Sequence, residues 1–288
     1  MKVVVVGCTH AGTATVVNLK EMHPECDVTI YERNDNISFL SCGIALQVGG
    51  VIAEPEKLFY NSPENLAKSG VVTKMKHDVL DIDFDNKKLR VKNLLNGEEF
   101  EDYYDKLVLT IGSWPIVPKF EGGDLENIVL CKNHDHAEVI VKKTGHAKNV
   151  VVIGAGYIGV ELAEAFELKG KKVTLIDAEE RIMAKYLDKE FTDIAENEFK
   201  SKGVKLVLGE KVARFEGENG KVQKVVTDKG SYEGDLVVLC IGFAPATKIV
   251  QGKLDTLKNG AIIIDEYMRT SREDVFAAGR SEERRVGK

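Results

Sequence analysis

Paired cysteines and long apolar runs are both missing from this 288-residue sequence, and each absence excludes a class of protein. The five cysteines, at positions 8, 26, 42, 131 and 240, are scattered and odd in number. With no C-x-x-C or C-x-x-x-x-C motif, neither a disulfide framework nor a dithiol relay between neighbouring residues is available. Thiol chemistry is expected to use one cysteine at a time, in a reducing compartment. No apolar run approaches the ~18–20 residues of a membrane span. The opening block Val3–Val6, stopped by Gly7, is too short for a signal peptide and reads as a buried strand, so a cytoplasmic location is expected. Positive charge is also short: 40 Lys and Arg against 46 Asp and Glu give a net charge of −6. That balance argues against nucleic acid or an anionic membrane as partner. What remains is 43% hydrophobic and 30% charged, enough chain for two globular domains with separate cores.

One sequence grammar occurs twice. Lys2–Gly7 is an apolar strand running into G-C-T-H-A-G (Gly7–Gly12), then a helix to about Met22, then the strand Asp27–Glu32. An acid thus ends the second strand about 20–25 residues after the first glycine. This is the layout in which glycines admit a pyrophosphate to a helix N-terminus and a carboxylate accepts from ribose hydroxyls. Thr9 stands where the middle glycine belongs. The second copy is complete: Val150–Gly154, then G-A-G-Y-I-G with Gly154, Gly156 and Gly159, a helix to about Lys169, and a strand ending in Asp177. A carboxylate there disfavours a 2′-phosphate and so favours NADH over NADPH. Two such units about 150 residues apart form an internal repeat. Each is followed by a strand entering a small-residue turn, Thr110–Pro115 in one case and Gly242–Thr247 in the other. Pro115, Pro118, Gly122 and Gly123 read as a crossover between domains.

Between the fingerprints lies S-F-L-S-C-G (Ser38–Gly43), followed by a stretch that reads as a helix start. Cys42 is the candidate reactive thiol, because the nucleophile is the thiolate and a helix N-terminus favours it. A cysteine with no thiol beside it suits a sulfenic acid, since nothing adjacent condenses with it. Cys8, Cys26, Cys131 and Cys240 read as core or surface residues. Cys131, His134 and His136 read as a strand end and a helix start, and no metal site is expected. Glu179, Glu180 and Arg181 read as a solvated loop.

V-V-V-V-G-C-T-H-A-G-T, Y-E-R-N, S-F-L-S-C-G-I-A-L, D-K-L-V-L-T-I-G-S-W-P and G-A-G-Y-I-G-V-E-L-A-E-A-F together resemble the water-forming NADH oxidases of the pyridine nucleotide-disulfide oxidoreductase superfamily. Tyr186–Asp193 and Asp265–Ser271 are equally similar to the sister NADH peroxidases. The resemblance implies an α/β fold of two Rossmann-like dinucleotide-binding domains in the glutathione-reductase arrangement. The FAD domain would span residues 1–115 and 246–279, with the NADH domain inserted at 116–245. It further implies FAD at Gly7, Thr9, His10, Ala11, Gly12, Glu32, Arg33 and Cys42, at Thr110, Ile111, Gly112 and Ser113, and near Lys132. NADH, as substrate, would lie on Gly154, Gly156, Tyr157, Ile158, Gly159, Asp177, Tyr186 and Gly242, with Tyr157 covering the flavin until nicotinamide displaces it. Cys42 would cycle between thiolate and sulfenic acid beside His10, with O₂ reduced to water. An NADH peroxidase, a coenzyme A-disulfide reductase or an inactive NADH-binding fragment are the alternatives.

Two departures from the pattern stand out. The turn Gly242–Thr247 lacks the family's arginine and asparagine, and Arg280 replaces the acid expected after Ala277-Ala278-Gly279. Residues 280–288 resemble a translated sequencing adapter. They are expected to be a non-native tail, with the flavin-contacting helix and the C-terminal dimerisation domain of a homodimer lacking.

Overall fold

The computed structural model describes residues 1–284. The described residues divide into two compact units: residues 1–39, 59–114 and 244–284, and residues 40–58 and 115–243.

The first unit is built on a five-stranded parallel sheet. Its order is Val275–Ala277, Lys106–Leu109, Lys2–Val6, Asp27–Glu32, Val71–Met75. Val3 to Val6 are all buried, as expected of a central strand covered on both faces, which reads as an unbroken apolar run. The Val71–Arg90 stretch resolves into the sheet's edge strand and part of an antiparallel meander, His77–Asp83, Lys88–Asn93 and Glu99–Tyr103. The region after residue 246 holds two short strands, Ile262–Ile264 and Val275–Ala277. Glu282–Arg284 pairs parallel to Ile262–Ile264, and Ser281 beside it is fully buried. The last four residues of the expected tail lie outside the described residues.

The second unit repeats the plan. Its parallel sheet runs Lys205–Leu208, Lys172–Asp177, Asn149–Ile153, Leu236–Leu239, Ile128–Leu130. It too carries a three-stranded antiparallel meander, here Val212–Glu218, Lys221–Thr227 and Ser231–Glu233. Register agrees between the sheets: Val6 lies opposite Tyr31 and Leu109, and Ile153 lies opposite Ile176 and Leu239. The Tyr157–Leu168 helix buries Leu162, Ala163, Ala165 and Phe166. Residues 40–58, with Cys42, group with this unit. Their short helix Ile44–Gly49 packs on the Tyr157–Leu168 helix, where a Cβ on Gly49 would sit 3.5 Å from Ala165.

Two measurements test the packing. Phe166 is fully buried and among the largest such side chains. Its replacement by alanine is expected to cost about 3–5 kcal/mol in chemical denaturation. In the first unit, Asp274 accepts from Lys106 and, at 2.5 Å, from Lys87. Those two ammonium groups hold its carboxyl below the usual range. A depressed folded-state pKa contributes stability that is present above the unfolded value and lost as pH falls through the folded one. Asp274→Asn, tolerated at φ 65° because asparagine adopts left-handed backbone, should therefore lower the urea midpoint at pH 7. The gap should close as the pH drops through the carboxylate range, below ~4.

Candidate dinucleotide sites and the Cys42 turn

In the first unit the strand Lys2–Val6 ends at Gly7, whose φ of +93° requires glycine. The Gly7 N–H donates to Tyr31 O at 2.8 Å, and the Cys8 N–H donates to the Glu32 carboxylate at 2.7 Å. Glu32 is buried and also accepts from the Asn34 backbone and side-chain amides. A Cβ on Gly12 would lie 2.0 Å from Gly7 O, so only glycine lets the helix sit this tightly on the turn. That helix starts at His10 with no side-chain cap and no acid in its first turn. The Pro63–Lys68 and His134–His146 helices, by contrast, carry Ser62 and Asn133 caps. The uncapped N–H groups and the positive helix end are left for an anion. Thr9 has a negative φ of −91°, outside the left-handed region that favours glycine.

Thr110 closes this turn from the neighbouring strand, its hydroxyl donating to Val6 O and Gly7 O at 2.9 and 2.8 Å. Ile111 packs on the core, Gly112 has φ +66°, and the buried Ser113 hydroxyl has no partner. An orphaned buried hydroxyl beside two backbone turns fits a polar ligand. Arg33 points away into an ion pair with Asp78 at 3.7 Å. His10 stacks on Tyr60, ring centroids 5.6 Å apart, with 3.1 Å between Nδ1 and the phenol oxygen. Tyr60 escaped the sequence reading because nothing local marks a contact across fifty residues.

The second unit builds the same turn. The Gly154 N–H donates to Ile176 O at 2.8 Å, the Ala155 N–H donates to the Asp177 carboxylate, and a Cβ on Gly159 would lie 1.8 Å from Gly154 O. Its helix begins after Gly156 without a side-chain cap, with Tyr157, Ile158 and Gly159 in the first turn. A cavity of about 350 Å³ opens in front, lined among others by Gly154, Gly156, Asp177, Tyr186, Cys240 and Gly242. The Tyr157 and Tyr186 rings lie 4.5 Å apart and are half-exposed. Lys132 belongs to this unit, its ammonium 5.3 Å from the Phe243 ring. Arg181 corrects the expectation of a solvated loop. Its guanidinium turns inward to Leu187 O at 2.7 Å and Ala184 O at 3.2 Å, and so shapes the segment that carries Tyr186.

Cys42 occupies a 3₁₀ turn, Ser41–Gly43, that passes directly into the Ile44–Gly49 helix. Leu40 N–H donates to Leu58 O at 2.7 Å, and a Cβ on Gly43 would meet Leu58 at 2.2 Å, so the turn is held from below. Cys42 is exposed, Cys8, Cys26 and Cys131 are buried, and Cys240 is half-buried. Burial pushes the thiols of Cys8 and Cys131 up to about 12, and holds that of Cys240 well above the ordinary range. Thiolate is the reactive form. Brief iodoacetamide treatment of the native protein, read by peptide mass mapping, should therefore modify Cys42 first, and Cys42→Ser should remove the fast phase.

Known proteins place these features in a lineage. The NADH oxidase of Enterococcus faecalis is 56% identical over 282 residues, covering 98% of this chain and 63% of that protein. The water-forming NADH oxidase of Lactobacillus brevis, solved with NADH bound, superposes with a TM-score of 0.95 at 53% identity, covering 98% of this chain and 62% of that one. A CoA-dependent NAD(P)H sulfur oxidoreductase of Pyrococcus furiosus is 37% identical, with 96% and 62% covered. The chain thus spans somewhat less than two thirds of these relatives. The profile of the pyridine nucleotide-disulphide oxidoreductases matches residues 1–283. With its doubled glycine turns and paired parallel sheets, the chain belongs to the pyridine nucleotide-disulphide oxidoreductase family.

Proposed function

We propose that this chain carries the two nucleotide sites and the redox cysteine of an NADH oxidase that reduces O₂ to water, working in the cytoplasm. The observation that carries this reading is the doubled turn with a carboxylate at each second-strand end, together with one exposed cysteine among five. The similarity to NADH oxidases over nearly the whole chain supports the substrate.

The first unit fits FAD. Gly7, Thr9, Ala11 and Gly12 would present the uncapped helix end to its pyrophosphate, Glu32 would meet the adenosine ribose, and Thr110–Ser113 would supply backbone and hydroxyl contacts. Bound there, FAD supplies two-electron chemistry between NADH and the final acceptor. His10, held by Tyr60, has an imidazole able to hold or move a proton. In the second unit, the N–H groups after Gly154 and the helix end would bind the NADH pyrophosphate. Asp177 would accept from the ribose and repel a 2′-phosphate. Gly242 would let the backbone approach the nicotinamide half, and Tyr186 lines that cavity with the Tyr157 ring against it.

Cys42 completes the four-electron balance. Its thiolate attacks a peroxide oxygen, the S–O bond forms as O–O breaks, and hydroxide leaves as water once protonated. Two electrons and two protons then return the sulfenic acid to thiol with release of the second water. The missing adjacent thiol keeps the sulfenic acid from collapsing to a disulfide. The kinship with a CoA-dependent sulfur oxidoreductase favours one second reading, in which Cys42 takes a thiol partner in place of oxygen.

The decisive experiment loads the protein with FAD and measures NADH and O₂ consumption together. Two NADH per O₂ and no accumulated peroxide are expected, and Cys42→Ser should shift the product to hydrogen peroxide at one NADH per O₂. Near-stoichiometric peroxide from the unmodified chain would refute the water-forming reading. NADH oxidation that waits for an added disulfide would favour the second.

A further inference from the structure

Cys131 and Cys240 are 109 positions apart in sequence, and the second sheet makes them neighbours. The strands Ile128–Leu130 and Leu236–Leu239 pair in parallel, and Cys131 and Cys240 each follow directly on their last registered pair, Leu130 opposite Leu239. Residues opposite one another on adjacent parallel strands point to the same face and lie about 4.8 Å apart. That separation falls within the Cα range of ~4.4–6.8 Å that a disulfide spans. The electrostatic influence of Cys131 on the Cys240 thiol bears out their proximity. Cys240 also lines the dinucleotide cavity, and its carbonyl lies 2.3 Å from where a Cβ on Gly154 would sit. The first glycine of the second fingerprint therefore rests against the Cys240 backbone.

We propose that Cys131 and Cys240 form a second redox site, a dithiol that peroxide converts to a disulfide, and that this bond weakens dinucleotide binding in the adjoining cavity. The thiolate of one cysteine attacks a peroxide oxygen, S–O forms, O–O breaks, and hydroxide takes up a proton and leaves as water. The second sulfur displaces hydroxide from the sulfenic sulfur, S–S forms, and a second water leaves. Two thiols lose two electrons, the peroxide gains them, and the sum is one disulfide and two waters. Burial keeps both thiols mostly protonated, so the pair reacts slowly and Cys42 responds first. The site therefore answers excess oxidant rather than turnover. Because the interior is close-packed, drawing Cys240 toward Cys131 moves the backbone against which Gly154 is fitted.

The coupling half rests on reading the cavity as the dinucleotide site, so the test measures bond and binding separately. The Cys42→Ser chain is treated with hydrogen peroxide, alkylated and digested without reduction. A dithiothreitol-reversible Cys131–Cys240 cross-link is expected by mass spectrometry. NAD⁺, which has no hydride to give, should bind the oxidised protein at least about fivefold more weakly by calorimetry. With thiols and disulfide equilibrated in a dithiothreitol redox buffer, linkage requires NAD⁺ to disfavour the cross-link by the same factor. Adding Cys131→Ser should leave the affinity of the reduced protein intact and remove its sensitivity to peroxide. Absence of the cross-link, or a cross-link with unchanged affinity, overturns the proposal. NAD⁺ failing to bind the reduced chain overturns the coupling and the dinucleotide reading with it, while the peptide map still reports on the bond.

Discussion

A single hydrogen bond, made twice, holds each glycine turn in shape. A carboxylate at the end of the second strand accepts the N–H that follows the first glycine: Glu32 from Cys8, and Asp177 from Ala155. The turn is otherwise a break in a buried strand, where an unpaired N–H is costly. With that donor satisfied, the backbone can reverse through the positive φ of Gly7 and of Gly154, and the following helix can settle on the turn. The helix then keeps its own first N–H groups uncommitted, since no side chain caps it. Anion-binding capacity at each site is thus a consequence of where the carboxylate is spent.

The repeated grammar was readable because its constraints are local. Glycine spacing, an apolar run and an acid at a strand end all act within about thirty residues. The structure bears this out to the level of register, with Val6 and Ile153 in equivalent places. Thr9 shows the limit of motif spelling, since a position marked for glycine is tolerant when its φ is negative. Contacts across the chain left no such trace. Tyr60 meets His10 through tertiary folding, Arg181 turns inward to carbonyls that no pattern announces, and Cys131 comes beside Cys240 only through sheet register.

The five sulfurs are sorted by environment more than by sequence. Burial in an apolar setting disfavours thiolate, which keeps Cys8, Cys131 and Cys240 quiet under ordinary conditions. Cys42 is raised to the surface on a short turn braced by Leu58 and by the helix packed on Ala165. One scaffold can therefore hold several thiols of very different reactivity without separating them by a disulfide framework.

The two sheets share one strand order in space but different orders along the chain. In the second unit the edge strand Ile128–Leu130 precedes the fingerprint strand, whereas in the first unit its counterpart Val275–Ala277 comes after the other four strands of its sheet. During synthesis from the N-terminus, the second sheet thus has all five strands by residue 239, while the first waits for residue 277. Domains fold as units as they emerge. The inserted unit can close on the ribosome while the one that encloses it still exposes the flank of Lys106–Leu109, an open parallel edge whose partner has yet to be made.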